Sequence, residues 1–512
     1  MNPKIPADVC LLLEGTYPYV RGGVSTWVHQ LIENLPEFRF ALFFIGSERK
    51  TARKKYYQLP PNVVSQQEVF LFDRLPSDEM EPKPLTASVR EDFYSRVRNF
   101  YRAPDHEAAA SLAWELFDWV GGHSHEINYG NLCRDKEAWD IMVEFYERTM
   151  SNHSFIDYFW TVRFMHLPIW RVLRIQREVP AARLYHSVST GYAGILGALA
   201  SRHHNAGYLI TEHGIYTKER MLEITQADWI YEPQSRYFDY SVRWRKFKEL
   251  WIELFKFLGL MAYRSADRVI SLFSGNMPMQ IEFGAPPEKL EVTPNGVVPG
   301  QFDRAVAARR AAREAGPQRQ VAGFVGRIVP IKDVKTLLRA ASHVARRLPN
   351  ALFKLFGPVE EDPEYFRVCR EMVLVLELEN YVQFVKSMPV EEIMPQIDIL
   401  VLTSISEGLP LVLLEGFASH VPAVATDVGA CRELLYGRDA EDKALGRAGL
   451  LTGISSPVET ADAIVELLSD RGLQDRMGMA GRTRVERFYR QADIMDRYRN
   501  FYRAAARPPF AE

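Results

Sequence analysis

Arg327, Lys332, Glu407 and Glu415 are residue types that can hold a charged, hydroxyl-rich ligand, and their spacing puts them at strand-to-helix turns. Gly326-Arg327 and Lys332 flank the loop after the apolar run Val321–Val325, ahead of a helix expected from about Val334 to Arg347. Glu407 follows Ile397–Leu402, a short apolar run that reads as a buried parallel strand, and Glu415 falls inside the next helix. Open α/β sheets bind ligands at that carboxyl edge. Arginine supplies a planar fork and lysine a point charge, a pair suited to a diphosphate. The amides of Gly408, Leu409 and Leu411 point where an anionic group rests on a helix N-terminus, and Pro410 suits the first helical position. Any one of these residues reads equally as a solvated surface group. Their coincidence is the signal.

The elements that must position them recur along the chain. Val9–Glu14 is a strand, Gly15 to Gly23 a loop ending in Gly22-Gly23, and Val24–Leu35 a helix that stops before Pro36. The paired glycines let backbone approach a ligand, but they do not form the dinucleotide G-x-G-x-x-G pattern. Phe40–Gly46 is a second strand; from about residue 47 to 179 the pattern turns helical and aromatic. Those aromatics suit a packed core at least as well as a sugar-binding surface. Strand and helix alternation resumes at Leu184–Val188, Gly191–His203 and Tyr208–Thr211, and this last strand ends in Glu212-His213-Gly214. A long helical stretch runs to about Ala266. Pro294-Asn295-Gly296-Val297 is a turn, and Ala305–Arg319 reads as a solvated connector. Strands at Leu352–Phe356, Val382–Val385 and Ala423–Thr426 complete a second doubly wound domain, followed by a terminal helix from about Thr483 to Ala506.

Composition narrows the function. A chain of 512 residues is too long for one core, and a net charge of −2 gives no support to nucleic-acid binding. Cys10, Cys133, Cys369 and Cys431 are far apart, with no C-x-x-C pair, and read as reduced buried thiols of a cytosolic protein. His123, His125 and His153 form no zinc-ligand motif. Neither a G-x-x-x-x-G-K-[ST] loop nor an Asp-x-Asp pair occurs, so no catalytic metal is expected. No signal peptide and no apolar run of bilayer length is evident.

Gly326-Arg327 with Lys332, and Glu407 with Glu415 after seven intervening residues, resemble the donor-site motifs of retaining glycosyltransferases of family 4. Pro294–Val297 resembles the interdomain turn of that family, and Gly22-Gly23 its N-terminal glycine loop. The opening Leu13–Trp27, the segment Thr211–Tyr216 and the long insertion resemble the narrower PelF type, cytosolic enzymes of the Pel exopolysaccharide system. The resemblance implies an α/β GT-B fold, two doubly wound Rossmann-like domains facing a central cleft, with a largely helical insertion in the first. Residues 1–297 would form the acceptor-side domain, its insertion at about 47–179, completed by a C-terminal helix at about 483–512. Residues 298–482 would form the nucleotide-sugar donor domain.

The roles follow residue by residue from that resemblance. Arg327 and Lys332 would bind the diphosphate, with Gly326 in the same loop; Glu415 would accept from the ribose hydroxyls. Glu407 would hold hydroxyls of the donor sugar, assisted by Gly408 and Leu409, and His213 would reach towards that sugar. Gly22 and Gly23 would approach the phosphates or the acceptor, and the base would lie near Val385 and Lys386. Many members carry glycine where Pro410 stands, which removes one amide from the phosphate cradle. Retention would proceed by same-face substitution, the leaving phosphate taking the acceptor proton, unlike the attacking carboxylate of retaining hydrolases. The implied partners are a UDP-sugar, a polysaccharide acceptor and inner-membrane subunits of the Pel synthase. A non-catalytic nucleotide-binding scaffold and a sugar-phosphate isomerase are the competing readings.

Overall fold

The computed structural model describes residues 7–20, 22–49, 54–226, 241–314 and 319–507. Arg21, the Gly316-Pro317 pair and part of the long helical stretch before Ala266 lie outside the described residues. The chain divides into two compact units. The first holds the chain up to Ile270, Met277–Glu291 and the tail from Arg499; the second holds Ser271–Asn276 and Val292–Tyr498.

The first unit is built on strands β1 (Ala7–Glu14), β2 (Phe40–Gly46), β3 (Val63–Phe70), β4 (Ala182–Ser187), β5 (Gly207–Glu212), β6 (Arg268–Ser271) and β7 (Leu290–Val292). Their order is β3-β2-β1-β4-β5-β6-β7, and β1 pairs in parallel with both β2 and β4. The helix Gly23–Asn34 buries Trp27, Val28, Leu31 and Ile32, the spacing of one helical face. β3 falls within the segment expected to be a helical insertion. It is an edge strand whose side chains are mostly only half-buried, so its polar run Ser65-Gln66-Gln67-Glu68 lacks the apolar signal of a central strand. The helical insertion proper comes after it, with long helices at Ala87–Tyr101, His106–Gly122, Lys136–Thr149 and Phe155–Ile175. Thr86, Asp105, Asp135 and Ser154 cap them by accepting backbone N–H groups. Phe93, Phe117, Tyr158 and Trp170 are buried in the core shared with the sheet, whereas Trp160 is half exposed.

The second unit carries β8 (Gln320–Val325), β9 (Ala351–Phe356), β10 (Val382–Val385), β11 (Ile399–Leu402), β12 (Ala423–Thr426) and β13 (Gly449–Thr452). The order is β10-β9-β8-β11-β12-β13, with every ladder parallel. The chain steps outward from β8 to β10, then restarts on the other side at β11. β8 and β11 therefore flank the switch point, the place at which open α/β sheets bind ligands.

Two further expectations change. The segment read as a solvated connector contains the helix Asp303–Glu314, whose Arg309 is buried and donates to the carbonyls of Ile397, Asp398 and His420. Its arginine-rich sequence looks like a surface because the fork that satisfies three carbonyls is itself charged. The terminal helical stretch is two helices, Arg471–Phe488 and Gln491–Ala505. They part where Val297 pairs with the chain, its N–H donating to Tyr489 O at 2.9 Å and its carbonyl accepting from Gln491 N–H at 2.9 Å. A Cβ on Gly296 would come within 2.7 Å of Gln491 Cα, which explains the glycine of the Pro294–Val297 turn. Among the described residues, no helix is long and apolar enough to cross a membrane.

Candidate functional site

The loops after β8 and β11 are tied to each other by one backbone bond and one buried hydroxyl. Ile405 N–H donates to Ile331 O at 2.9 Å, and Thr403 Oγ1 donates to the carbonyls of Lys332 and Asp333, each at 3.1 Å. Asp333 sits in the left-handed region at φ 43, a strained place for a non-glycine residue. Its carboxylate offsets that by accepting from Thr336 N–H at 3.2 Å, Thr336 Oγ1 at 2.7 Å and Ser455 Oγ at 3.0 Å. Asp333 thus caps the helix Val334–Arg347 and fixes the turn that presents Lys332.

Lys332 Nζ donates to Glu407 Oε1 at 2.5 Å, with the two side chains 19% and 10% exposed. Ser404 Oγ donates to the same oxygen at 2.5 Å. Glu407 Oε2 accepts from none of the described residues. The N–H groups of Gly408, Leu409 and Leu411 likewise donate to no described atom, as the sequence spacing implies. Pro410, however, is the residue before the helix rather than its first member; the helix runs Leu411–Ala418, and Pro410 O accepts from Leu413 N–H at 3.1 Å. Gly429, at φ 54, packs beneath this turn. A Cβ there would lie 2.2 Å from Glu407 O, and Ala430 N–H donates to Gly408 O at 2.9 Å.

Arg327 is half exposed and forms an ion pair with Glu361 in the loop after β9. Gly326 spends its N–H on Phe356 O at 2.9 Å, so its part in the site is shape rather than donation. Val385 ends β10 and Lys386 follows it, at the same carboxyl edge but with β9 standing between them and β8. Glu415, within the Leu411–Ala418 helix, has no hydrogen bond from a described side chain. Burial, with the Glu391 charge adding to it, pushes its carboxyl up to about 7. A carboxylate left in that state is ready to accept hydroxyl donors.

In the first unit, Gly22 and Gly23 start the Gly23–Asn34 helix, and a Cβ at either would meet nothing within 4 Å. Among the described residues, no contact demands glycine there. One turn on, Trp27 packs edge-to-face on His213, ring centroids 4.6 Å apart, so the structure brings the glycine loop and His213 together through Trp27. His213 Nε2 is buried without a partner among the described residues, and burial holds the ring down to about 3, neutral at every physiological pH. Beside it, Glu212 is wholly buried and accepts from Thr190 Oγ1, Tyr263 OH, Gln280 Nε2 and Tyr216 N–H. Glu212, Ser404 and Glu361 were not among the residues singled out from the sequence. The Ser404-x-x-Glu407 spacing across a strand exit is a signal that points to one of them; Glu212 and Glu361 have no comparable mark.

Residues 7–288 match a family described as a domain of unknown function, DUF3492, and residues 307–484 match the glycosyl transferases group 1. The D-inositol 3-phosphate glycosyltransferase of Nocardia farcinica (strain IFM 10152) is 30% identical over 224 residues, which are 42% of this chain and 48% of that protein. The chain thus spans about half the length of the curated relatives it matches. Among solved structures, Anabaena Alr3699/HepE in complex with UDP superposes with a TM-score of 0.58 at 14% identity, over 97% of this chain and 100% of that one. The sucrose-phosphate synthase of Thermosynechococcus elongatus gives 0.59 at 16% identity, over 97% and 98%. With two parallel-sheet Rossmann-like domains, these likenesses make the fold α/β GT-B.

Proposed function

The chain belongs to the DUF3492 family and joins that domain to a glycosyl transferases group 1 domain, and on this premise we propose that it is a retaining hexosyltransferase using a UDP-sugar. The observation that carries the reading is the β8/β11 switch point. There a cation, a carboxylate with one free oxygen and unspent helix amides converge, the set a nucleoside diphosphate sugar needs. Lys332 and Arg327 neutralise the charge that grows on the leaving diphosphate. Glu415 accepts from the ribose, Glu407 Oε2 from a hydroxyl of the sugar, and the amides of Gly408 and Leu409 assist. His213, held neutral, offers a hydrogen-bonding edge to a sugar hydroxyl, while Gly22 and Gly23 keep backbone open to phosphate or acceptor. Val385 and Lys386 border the base. No step calls for a metal or other cofactor.

The finer reading is transfer of a hexose or N-acetylhexosamine to a growing Pel-type exopolysaccharide on the cytosolic side of the inner membrane, with membrane subunits of the synthase as partners. It is supported by the resemblance of Leu13–Trp27 and Thr211–Tyr216 to the PelF type. Nucleoside diphosphate release from UDP-, GDP- and ADP-sugars tests the whole, with oligosaccharide or D-inositol 3-phosphate as acceptor and Arg327→Ala run alongside. Release from one UDP-sugar, lost in the variant and stimulated by oligosaccharide, is the expected result. Stimulation by the inositol phosphate instead would move the acceptor to that of the named relatives. UDP bound without release from any sugar, with acceptor present, would favour the non-catalytic nucleotide-binding scaffold.

A further inference from the structure

We propose that Ser404 is the positioning residue that holds Glu407 in its working orientation once a donor is bound, a role that rests on the transfer reading above. Glu407 Oε1 has two donors, Lys332 Nζ and Ser404 Oγ, each at 2.5 Å, while Oε2 has none among the described residues. The two donors are not equivalent. Lys332 is a flexible cation whose proposed partner is the diphosphate, so a bound donor draws its charge away from Glu407. Ser404 is wholly buried, on a short side chain at the exit of β11, and has no other described acceptor for its hydroxyl. It remains on Oε1 whatever Lys332 does, and keeps Oε2 turned to the sugar.

The hydroxyl is separable from the fold of the loop. Ser404 O accepts from Thr426 Oγ1 at 2.6 Å, Ile405 N–H bonds Ile331 O, and Thr403 Oγ1 bonds the Lys332 and Asp333 carbonyls. None of these uses Ser404 Oγ. Replacing the serine by alanine therefore removes the anchor of Glu407 and leaves the backbone tied.

The test is a double-mutant cycle of Ser404→Ala and Glu407→Gln, read in donor turnover and in calorimetric affinity for the intact UDP-sugar and for UDP alone. Ser404→Ala should lower kcat about tenfold or more, the worth of a hydrogen bond to a charged group. Affinity for UDP and the thermal midpoint should stay unchanged. On the Glu407→Gln background the same substitution should do almost nothing further, because Ser404 acts through that carboxylate. Additive losses, or weakened UDP binding with a lowered midpoint, would show a merely structural serine and overturn the role. An unaltered protein that neither cleaves nor binds any nucleotide sugar would instead overturn the transfer reading, and this role with it.

Discussion

Lys332 Nζ stands 2.5 Å from Glu407 Oε1, and the pair is only 19% and 10% exposed, so the cation proposed for the diphosphate is bonded directly to the carboxylate proposed for the sugar. Each neutralises the other. Removing either leaves a desolvated charge behind.

Lys332→Ala should therefore cost both binding and stability. The unpaired Glu407 carboxylate lowers unfolding free energy by about 1–3 kcal/mol, and UDP affinity falls at least tenfold. Thermal unfolding and calorimetry read the two effects. Unchanged stability with normal UDP affinity would refute the shared role of this lysine.

Glu407→Ala should behave differently. Its contacts in the proposed complex are to the reacting sugar, so turnover should fall by about a hundredfold while UDP affinity changes little. Steady-state release of nucleoside diphosphate beside UDP calorimetry separates the outcomes; equal losses in both would argue against the assignment.

Glu415 makes donor binding depend on pH. Its carboxyl is raised from 4.5 to about 7, and hydroxyl donors from a ribose favour the ionised form. Binding of a UDP-sugar should release a proton below about pH 7 and strengthen as pH rises, levelling off above it. A UDP-sugar suits the measurement because its diesterified diphosphate does not titrate there. The free protein shows the opposite trend: a folded pKa above the unfolded one stabilises at low pH, and that contribution is lost as pH rises from 4.5 to 7. Glu415→Gln should flatten both profiles.

Gly429→Ala should disturb the site without touching any ligand. At φ 54 and 2.2 Å from Glu407 O, an added Cβ carries a backbone cost of about 1–2 kcal/mol and pushes the Glu407–Gly408 peptide. A lowered thermal midpoint with disproportionately lost turnover is expected; a midpoint and turnover both within error of the unaltered protein would exclude the packing described.

His186 and His213 set the acid limit of the first unit. Burial holds each down to about 3, against 6.5 for a free imidazole. Folded pKa values below the unfolded ones mean stability is fully present above pH 6.5 and declines as pH falls towards 3. His213→Gln, which cannot be charged, should flatten part of that decline in thermal melts between pH 4 and 6.5.

Much of the α/β order was legible because buried parallel strands are short apolar runs: Val9–Glu14, Phe40–Gly46 and Ile397–Leu402 announce themselves without partners. β3 was not legible, since an edge strand with half-exposed glutamines carries no such run. Arg309 was read as surface because a buried guanidinium feeding three carbonyls has the same letter as a solvated one. The break between the last two helices is likewise invisible locally, because Val297, far away in the chain, supplies the bonds that part them.

Arg327, Lys332, Glu407, Gly408, Leu409 and Glu415 stood out as candidates from type and spacing, because residue types suited to anions and hydroxyls fell in the turns after strands or in the helix that follows. That is a property of local sequence and needs no three-dimensional partner to be seen. What only the tertiary structure decided is which atoms are spent. Gly326 gives its amide to β9, Arg327 pairs with Glu361, and Glu407 gives one oxygen to Lys332 and Ser404 while keeping the other. Hydrogen-bond capacity is exhausted by neighbours in space, and strand order alone made β8 and β11 neighbours.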